Sequence, residues 1–257
     1  MPNKSLGQHW LHDRKTLESI AAAANLTKQD TVLEIGPGLG TLTEVLSERS
    51  ESVVAVEFDR ELASDLAKKK RPNVEVLNAD FLYFNLSILP FGYKVVANIP
   101  YYITAKIVQK LLSADNKPSI VVLLMQKEVA ERLAAGPGDM SILTISAQVF
   151  AEVELGITVP PEYFTPPPKV DSQVVILRPR AKPLFENWDE KAYFRVVKAG
   201  FSARRKKLRS SIAGGLGIDK SAAETLLLAS DINPNLRAQD LSLNDWQNLT
   251  KNSIISE

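Results

Sequence analysis

The 257-residue chain carries 31 basic and 30 acidic side chains, a net charge of +1, and no cysteine. That excludes disulfides, thiolate nucleophiles and cysteine-ligated zinc, and hydrophobic and charged fractions of 45% and 24% exclude a globally disordered chain. The length suits one large domain with a smaller companion, since single cores stop growing at about 250–300 residues.

In chain order, the amino-terminal stretch MPNKSLGQHWLHD lacks the apolar core of a secretory signal. No later apolar run is long enough to span a bilayer, so the cytoplasm is the expected compartment. His9 and His12 have no third ligand candidate beside them; they read as polar loop residues, and no metal is expected. Short β-branched runs then predict strands at Thr31–Ile35, Ser52–Glu57, Asn73–Leu77, Lys94–Ala97 and Ile120–Met125. Helical patterns at Leu42–Glu48, Glu61–Lys70 and Thr104–Ser113 lie between them. This alternation predicts βα units and a mainly parallel sheet. Leu155–Val159 and Gln173–Leu177 flank a proline-rich stretch, Val159–Val170, that cannot be helical, and are expected to form an antiparallel edge. A second break at Arg178–Pro183 places a domain boundary, giving domains 1–181 and 182–257. The tail predicts helices at Trp188–Ala203, Lys206–Ala213, Lys220–Ala229 and Leu241–Lys251, punctuated by Gly214-Gly215 and Asn233-Pro234.

Three strand ends carry chemistry. The first strand closes in Glu34-Ile-Gly-Pro-Gly-Leu-Gly40, where Gly36 and Gly38 let the backbone approach a ligand closely. The third glycine of a dinucleotide fingerprint would fall at Thr41, so NAD is the weaker reading. Glu57 ends the second strand, placed to accept from both hydroxyls of a ribose, and Asp80 follows the third, placed to accept from an adenine amine. A nucleoside cofactor without phosphates needs no basic residue there, and none is present. The combination predicts S-adenosylmethionine.

After the fourth strand comes Asn98-Ile-Pro-Tyr-Tyr-Ile103, an amino-methyltransferase type of acceptor loop. The lone pair of an aromatic amine is delocalised into its ring. The Asn98 side-chain oxygen and a carbonyl near Pro100 would accept from the amine hydrogens and favour a pyramidal nitrogen, while Tyr101 would stack on a base taken out of its helix. Further on, Arg195–Arg209 reads RVVKAGFSARRKKLR without an acid, a local footprint for a polyanion despite the balanced total charge.

At this point the sequence resembles the KsgA-type small-subunit ribosomal RNA adenine N6,N6-dimethyltransferases, nearly end to end. The motifs that carry the resemblance are KSLGQHWL, EIGPGLGTLT, NIPYYI, QKEVAER, FTPPPKVDS and FSARRKKLR. The family's usual Asn-Phe is His9-Trp10 here, and an imidazole replaces one hydrogen bond of an amide but not donor and acceptor at once. The resemblance implies a Rossmann-like class I methyltransferase domain with a mostly parallel seven-stranded sheet, followed by a small all-α domain. It implies cofactor contacts from His9, Leu11, Gly36, Gly38, Glu57, Asp80 and Asn98, and a target base held between Tyr101 and Phe164. The substrate it implies is two adjacent adenosines in the 3′-terminal hairpin loop of 16S rRNA, within the small subunit. Arg204, Arg205, Lys206, Lys207 and Arg209 would then track rRNA phosphates. Nothing signals oligomerisation, and a monomer is assumed. Two rivals are the macrolide-resistance branch, acting on large-subunit rRNA, and a non-enzymatic small-subunit assembly factor.

Overall fold

The structure is a computed structural model describing residues 9–203 and 205–255, so the KSLGQ stretch and Arg204 lie outside the described residues. The chain opens with a short strand β1 (Trp10–Leu11) and a helix α1 (Arg14–Ala23). No helix is expected there from the strand and turn signals, yet Asp13 caps it by accepting from Thr16 N at 2.8 Å. Leu17, Ile20, Ala21 and Ala24 form its buried face at helical spacing.

The βα alternation follows as β2 (Thr31–Ile35), α2 (Thr41–Ser47), β3 (Ser52–Glu57), α3 (Arg60–Lys68), β4 (Val74–Asn78), β5 (Lys94–Asn98), α4 (Thr104–Ser113) and β6 (Ile120–Gln126). Then come α5 (Lys127–Leu133), α6 (Ile142–Gln148), β7 (Ala151–Val159), β8 (Phe164–Thr165) and β9 (Ser172–Pro179). Seven strands form one sheet in the order β4-β3-β2-β5-β6-β9-β7. Strands β2 to β6 pair in parallel, while β9 runs antiparallel to both β6 and β7. Runs such as VVLLM in β6 are fully buried, as parallel strands covered on both faces require. β1 and β8 form a separate antiparallel ribbon, with Leu11 opposite Phe164.

The chain divides into two compact units. One holds the sheet and runs to Glu131, resuming over Ala151–Arg180; the other takes Arg132–Phe150 and everything from Ala181 onward. The single break expected near residue 181 therefore does not describe the segment 132–150. Its apolar residues Met140, Ile145 and Val149 pack with Tyr193, Val196, Val197 and Trp246 in the second unit's core. That unit contains α6 and the helices α7 (Glu190–Phe201), α8 (Leu208–Leu216), α9 (Lys220–Ala229) and α10 (Leu243–Ile255). Among the described residues, no helix is long and apolar enough to cross a membrane.

Gly214 and Gly215 do not break the tail; they lie inside α8. The reason for Gly215 is packing: a Cβ there would sit 2.4 Å from the Cα of Ala199 in α7. At Gly214 a Cβ would meet nothing within 4 Å. The two glycines should therefore respond to alanine with opposite signs. Gly214→Ala should stabilise by up to about 1 kcal/mol, the helix-propensity gain. Gly215→Ala should destabilise by about 1–3 kcal/mol, because α7 and α8 must separate. Chemical unfolding of the two variants compares them directly.

Candidate active site

The sheet reverses its direction of winding between β2 and β5: β3 and β4 add on one side of β2, β5 and β6 on the other. Ligands of open α/β sheets bind beyond the carboxyl ends of the strands at such a point. Here those ends bear the glycine loop after β2 and Asn98 at the end of β5. A cleft opens there, and His9, Trp10, Leu11, Gly36, Gly38, Glu57, Asn98, Pro100 and Tyr101 all line it.

The loop's geometry follows from its glycines. Gly38 has φ +56°, and a Cβ there would stand 3.1 Å from the indole of Trp10. Gly40 has φ +79°, and its Cβ would overlap Leu66 of α3 at 2.4 Å. The loop thus lies flat between a tryptophan and a helix. Glu57 faces it from the end of β3, accepting from Gly38 N at 3.0 Å and from Asp59 N at 2.8 Å. Burial raises the Glu57 carboxyl above its ordinary range, and these two N–H donors pull against that shift. Lys69 donates to Leu39 O at 2.7 Å and fastens the loop from outside.

The opposite wall is built from the ribbon and the end of β5. His12 N donates to Tyr163 O at 3.0 Å, and the Thr41 hydroxyl, at the start of α2, donates to Leu11 O at 2.8 Å. The Asn98 amide Nδ2 donates to His9 O at 3.1 Å, which fixes the amide plane and leaves Oδ1 as the remaining acceptor. His9 Nδ1 donates to Pro166 O at 2.8 Å, and its ring stacks on Tyr101 with centroids 5.8 Å apart and planes 20° off parallel. The Tyr101 hydroxyl lies 2.7 Å from Ser172 Oγ. Pro100 O already accepts from Ile103 N at 3.3 Å, leaving one lone pair.

Not every expected residue reaches the cleft. Asp80 sits beyond β4, accepts from Leu82 N at 2.8 Å as the cap of a short 3-10 turn, and does not line the cleft. Phe164 is 2% exposed and packs in the sheet-side core with Leu11, Leu17 and Val159; the ring against Tyr101 is that of His9. In the second unit, Arg205, Lys206 and Lys207 are exposed, and Lys207 donates to Asn235 Oδ1 at 2.9 Å. Arg209 instead forms an ion pair with Glu224 of α9 at 3.3 Å. Among the described residues no cluster of three or more His, Asp or Glu could hold a metal ion.

Sequence reasoning passed over Trp10 and Glu34 as site residues. Both line the cleft, and each has a buried polar atom, Trp10 Nε1 and Glu34 Oε2, without a hydrogen-bond partner among the described residues. The available signal for Glu34 was an acid within the apolar strand TVLEI.

The profile of the family described as "Ribosomal RNA adenine dimethylase" matches residues 2–254. The "Ribosomal RNA small subunit methyltransferase A" of Desulfitobacterium hafniense is 44% identical over 254 residues, covering 97% of this chain and 91% of the relative. Among solved structures, a dimethyladenosine transferase from Plasmodium falciparum superposes with a TM-score of 0.79 at 29% identity, covering 94% of this chain and 96% of that one. The 23S rRNA methyltransferase ErmE superposes with a TM-score of 0.76 at 32% identity, covering 95% of this chain and 98% of that one. The fold is the Rossmann-like methyltransferase fold of these neighbours.

Glu34 is 1% exposed, and burial pushes its carboxyl up to about 8, with the charge of Glu57 adding to the rise and the Thr43 hydroxyl opposing it. The native state therefore keeps a proton that the unfolded chain, with a carboxyl near 4.5, releases early. Stability tied to Glu34 should fall as pH climbs from about 4.5 to about 8. Glu34→Gln should flatten that slope, so its melting temperature should gain on the unsubstituted protein as pH rises toward 8. Parallel slopes for the two proteins across this window would count against it.

Proposed function

The chain belongs to the ribosomal RNA adenine dimethylase family, and from that premise we propose that it dimethylates the N6 amines of two adjacent adenosines in the 3′-terminal hairpin loop of 16S rRNA. The methyl donor is S-adenosylmethionine and the substrate is the small ribosomal subunit, met by a monomer in the cytoplasm. The observation that carries this reading is the convergence of glycine loop, Glu57 and Asn98-Ile-Pro-Tyr101 in one cleft at the switch point of the sheet. The small-subunit assignment over the large-subunit branch is supported by the 44% identity to a small-subunit methyltransferase, against 32% to ErmE.

The residues present fit such a cofactor. Gly36 and Gly38 put no side chain into the cleft, Glu57 offers its remaining lone pairs to ribose hydroxyls, and Trp10 Nε1 has an unused hydrogen to donate. Leu11 and His9 close the cleft from the ribbon. When bound, the cofactor supplies a sulfonium-activated methyl group, so no general base need act before transfer. Asn98 Oδ1 and the free lone pair of Pro100 O accept from the two amine hydrogens of the acceptor. That orients the nitrogen lone pair along the line of attack and holds the positive charge that develops there. The surplus proton of the methylated amine would leave to water. Tyr101 gives the base a stacking surface.

On this reading, labelled methyl groups should pass to small subunits lacking the modification, and not to large subunits. Asn98→Ala should slow that transfer by about 100-fold, the usual cost of losing one aligned dipole. Label in large-subunit rRNA would move the chain to the resistance branch. Tight subunit binding with no label, and a cellular role that survives Glu57→Ala, would favour a non-enzymatic assembly factor.

In the second unit, Arg205, Lys206 and Lys207 are the exposed cations for rRNA phosphates, with Arg204 beside them in sequence. The triple alanine variant of Arg205, Lys206 and Lys207 should bind subunits more weakly and with a shallower salt dependence, each lost phosphate contact removing a released counterion. Arg209→Ala should instead lower the stability of the helices that Glu224 joins and leave the salt slope in place. Filter binding over a salt series reads both.

A further inference from the structure

Ser172 is the first residue of β9, and its neighbours on both sides are strands: it stands opposite Gln126 of β6 and Val159 of β7. It is 0% exposed. A hydroxyl in such a place costs stability unless it is paired. Its partner is neither a strand carbonyl nor a neighbour in sequence, but the phenol of Tyr101, 2.7 Å away. Tyr101 itself sits on a single 3-10 turn after β5, a less rigid support than a strand. Its hydroxyl is tied to the sheet, its ring is faced by His9, and it lines the cleft.

We propose that Ser172 is a positioning residue for methyl transfer: its hydroxyl fixes the plane and depth of the Tyr101 ring, and so the place where the acceptor adenine stacks. The proposal rests on the acceptor reading given above. A base that stacks on a ring free to tilt would drift from Asn98 Oδ1, and alignment of nitrogen, methyl and sulfur tolerates about 0.5 Å. The cofactor side of the cleft has no part in this contact.

The test combines kinetics with a measurement that needs no turnover. Ser172→Ala and Tyr101→Phe each remove a neutral hydrogen bond of about 1 kcal/mol, so each should lower kcat on undermethylated small subunits by about 5-fold. Cofactor Kd should stay unchanged. The double variant should be no slower than the slower single one, because both substitutions break the same contact. In protein labelled with 13C at tyrosine Cζ, the Tyr101 resonance, identified by its loss in Tyr101→Phe, should shift in Ser172→Ala. A serine that only supports the sheet would lower the melting temperature and leave kcat untouched, which would overturn the proposal. So would multiplicative losses in the double variant, or an unmoved resonance. Should Ser172→Ala fail to fold, undiminished kcat in Tyr101→Phe would overturn it equally. A resonance shift in a protein that labels no subunit would bring down the acceptor reading and not the contact.

Discussion

The pairing of Trp10–Leu11 with Phe164–Thr165 joins segments more than 150 positions apart in the chain, and the cleft is shaped by it. A two-stranded ribbon is marginal by itself in water. This one is held by Leu11 and Phe164, which sink into the sheet-side core from opposite strands, and by the Thr41 hydroxyl bonded to Leu11 O. With the ribbon in place, Trp10 covers the glycine loop, the His9 carbonyl orients Asn98, and the His9 ring faces Tyr101. The core packing of Phe164 therefore reaches the chemistry through the residues its partner strand carries.

The two acids of the cleft have different fates because their surroundings differ. Glu34, within the strand, loses its water, and its Oε2 meets no donor among the described residues, so it keeps its proton. Glu57, at the strand's end, meets the backbone N–H groups of Gly38 and Asp59, which favour the charged form. One acid thus lets the strand pass behind the loop without a buried charge; the other keeps acceptors for hydroxyl groups. Two ionised carboxylates this close would disfavour each other, and the neutrality of Glu34 removes that conflict.

Much of this was legible in the sequence, for reasons that also set the limit. β2 and β3 fall on their expected residues because uninterrupted β-branched runs between turn signals are a local property. The glycine loop, Glu57 and Asn98 converge because parallel βα winding delivers every strand's carboxyl end to one edge. What stayed hidden depends on distant neighbours. Ser172 is one serine among many until the fold sets it against Tyr101. Arg209 belongs to a basic run in sequence, and only the packing of α8 on α9 supplies Glu224. Gly214-Gly215 has the signature of a break, and the close approach of Ala199 that makes a glycine necessary is invisible along the chain. The segment 132–150 carries a turn signal, Gly136-Pro137-Gly138-Asp139, but a turn does not tell which core its apolar residues Met140, Ile145 and Val149 will join.

That last feature bears on how the protein is made. The backbone passes between the two units three times, after Glu131, after Phe150 and after Arg180. During synthesis the segment 132–150 emerges well before the helices that bury Met140, Ile145 and Val149. The strands β7 and β9 follow it and complete the sheet while it still waits with its apolar side chains uncovered. Such exposed intermediates are what chaperones engage. The same threading means that no single cleavage frees either unit whole: a chain ending at Arg180 keeps an orphaned piece of the helical core, and the remainder lacks it. The helical core therefore closes only after α10, which carries Trp246 and Leu249, has emerged.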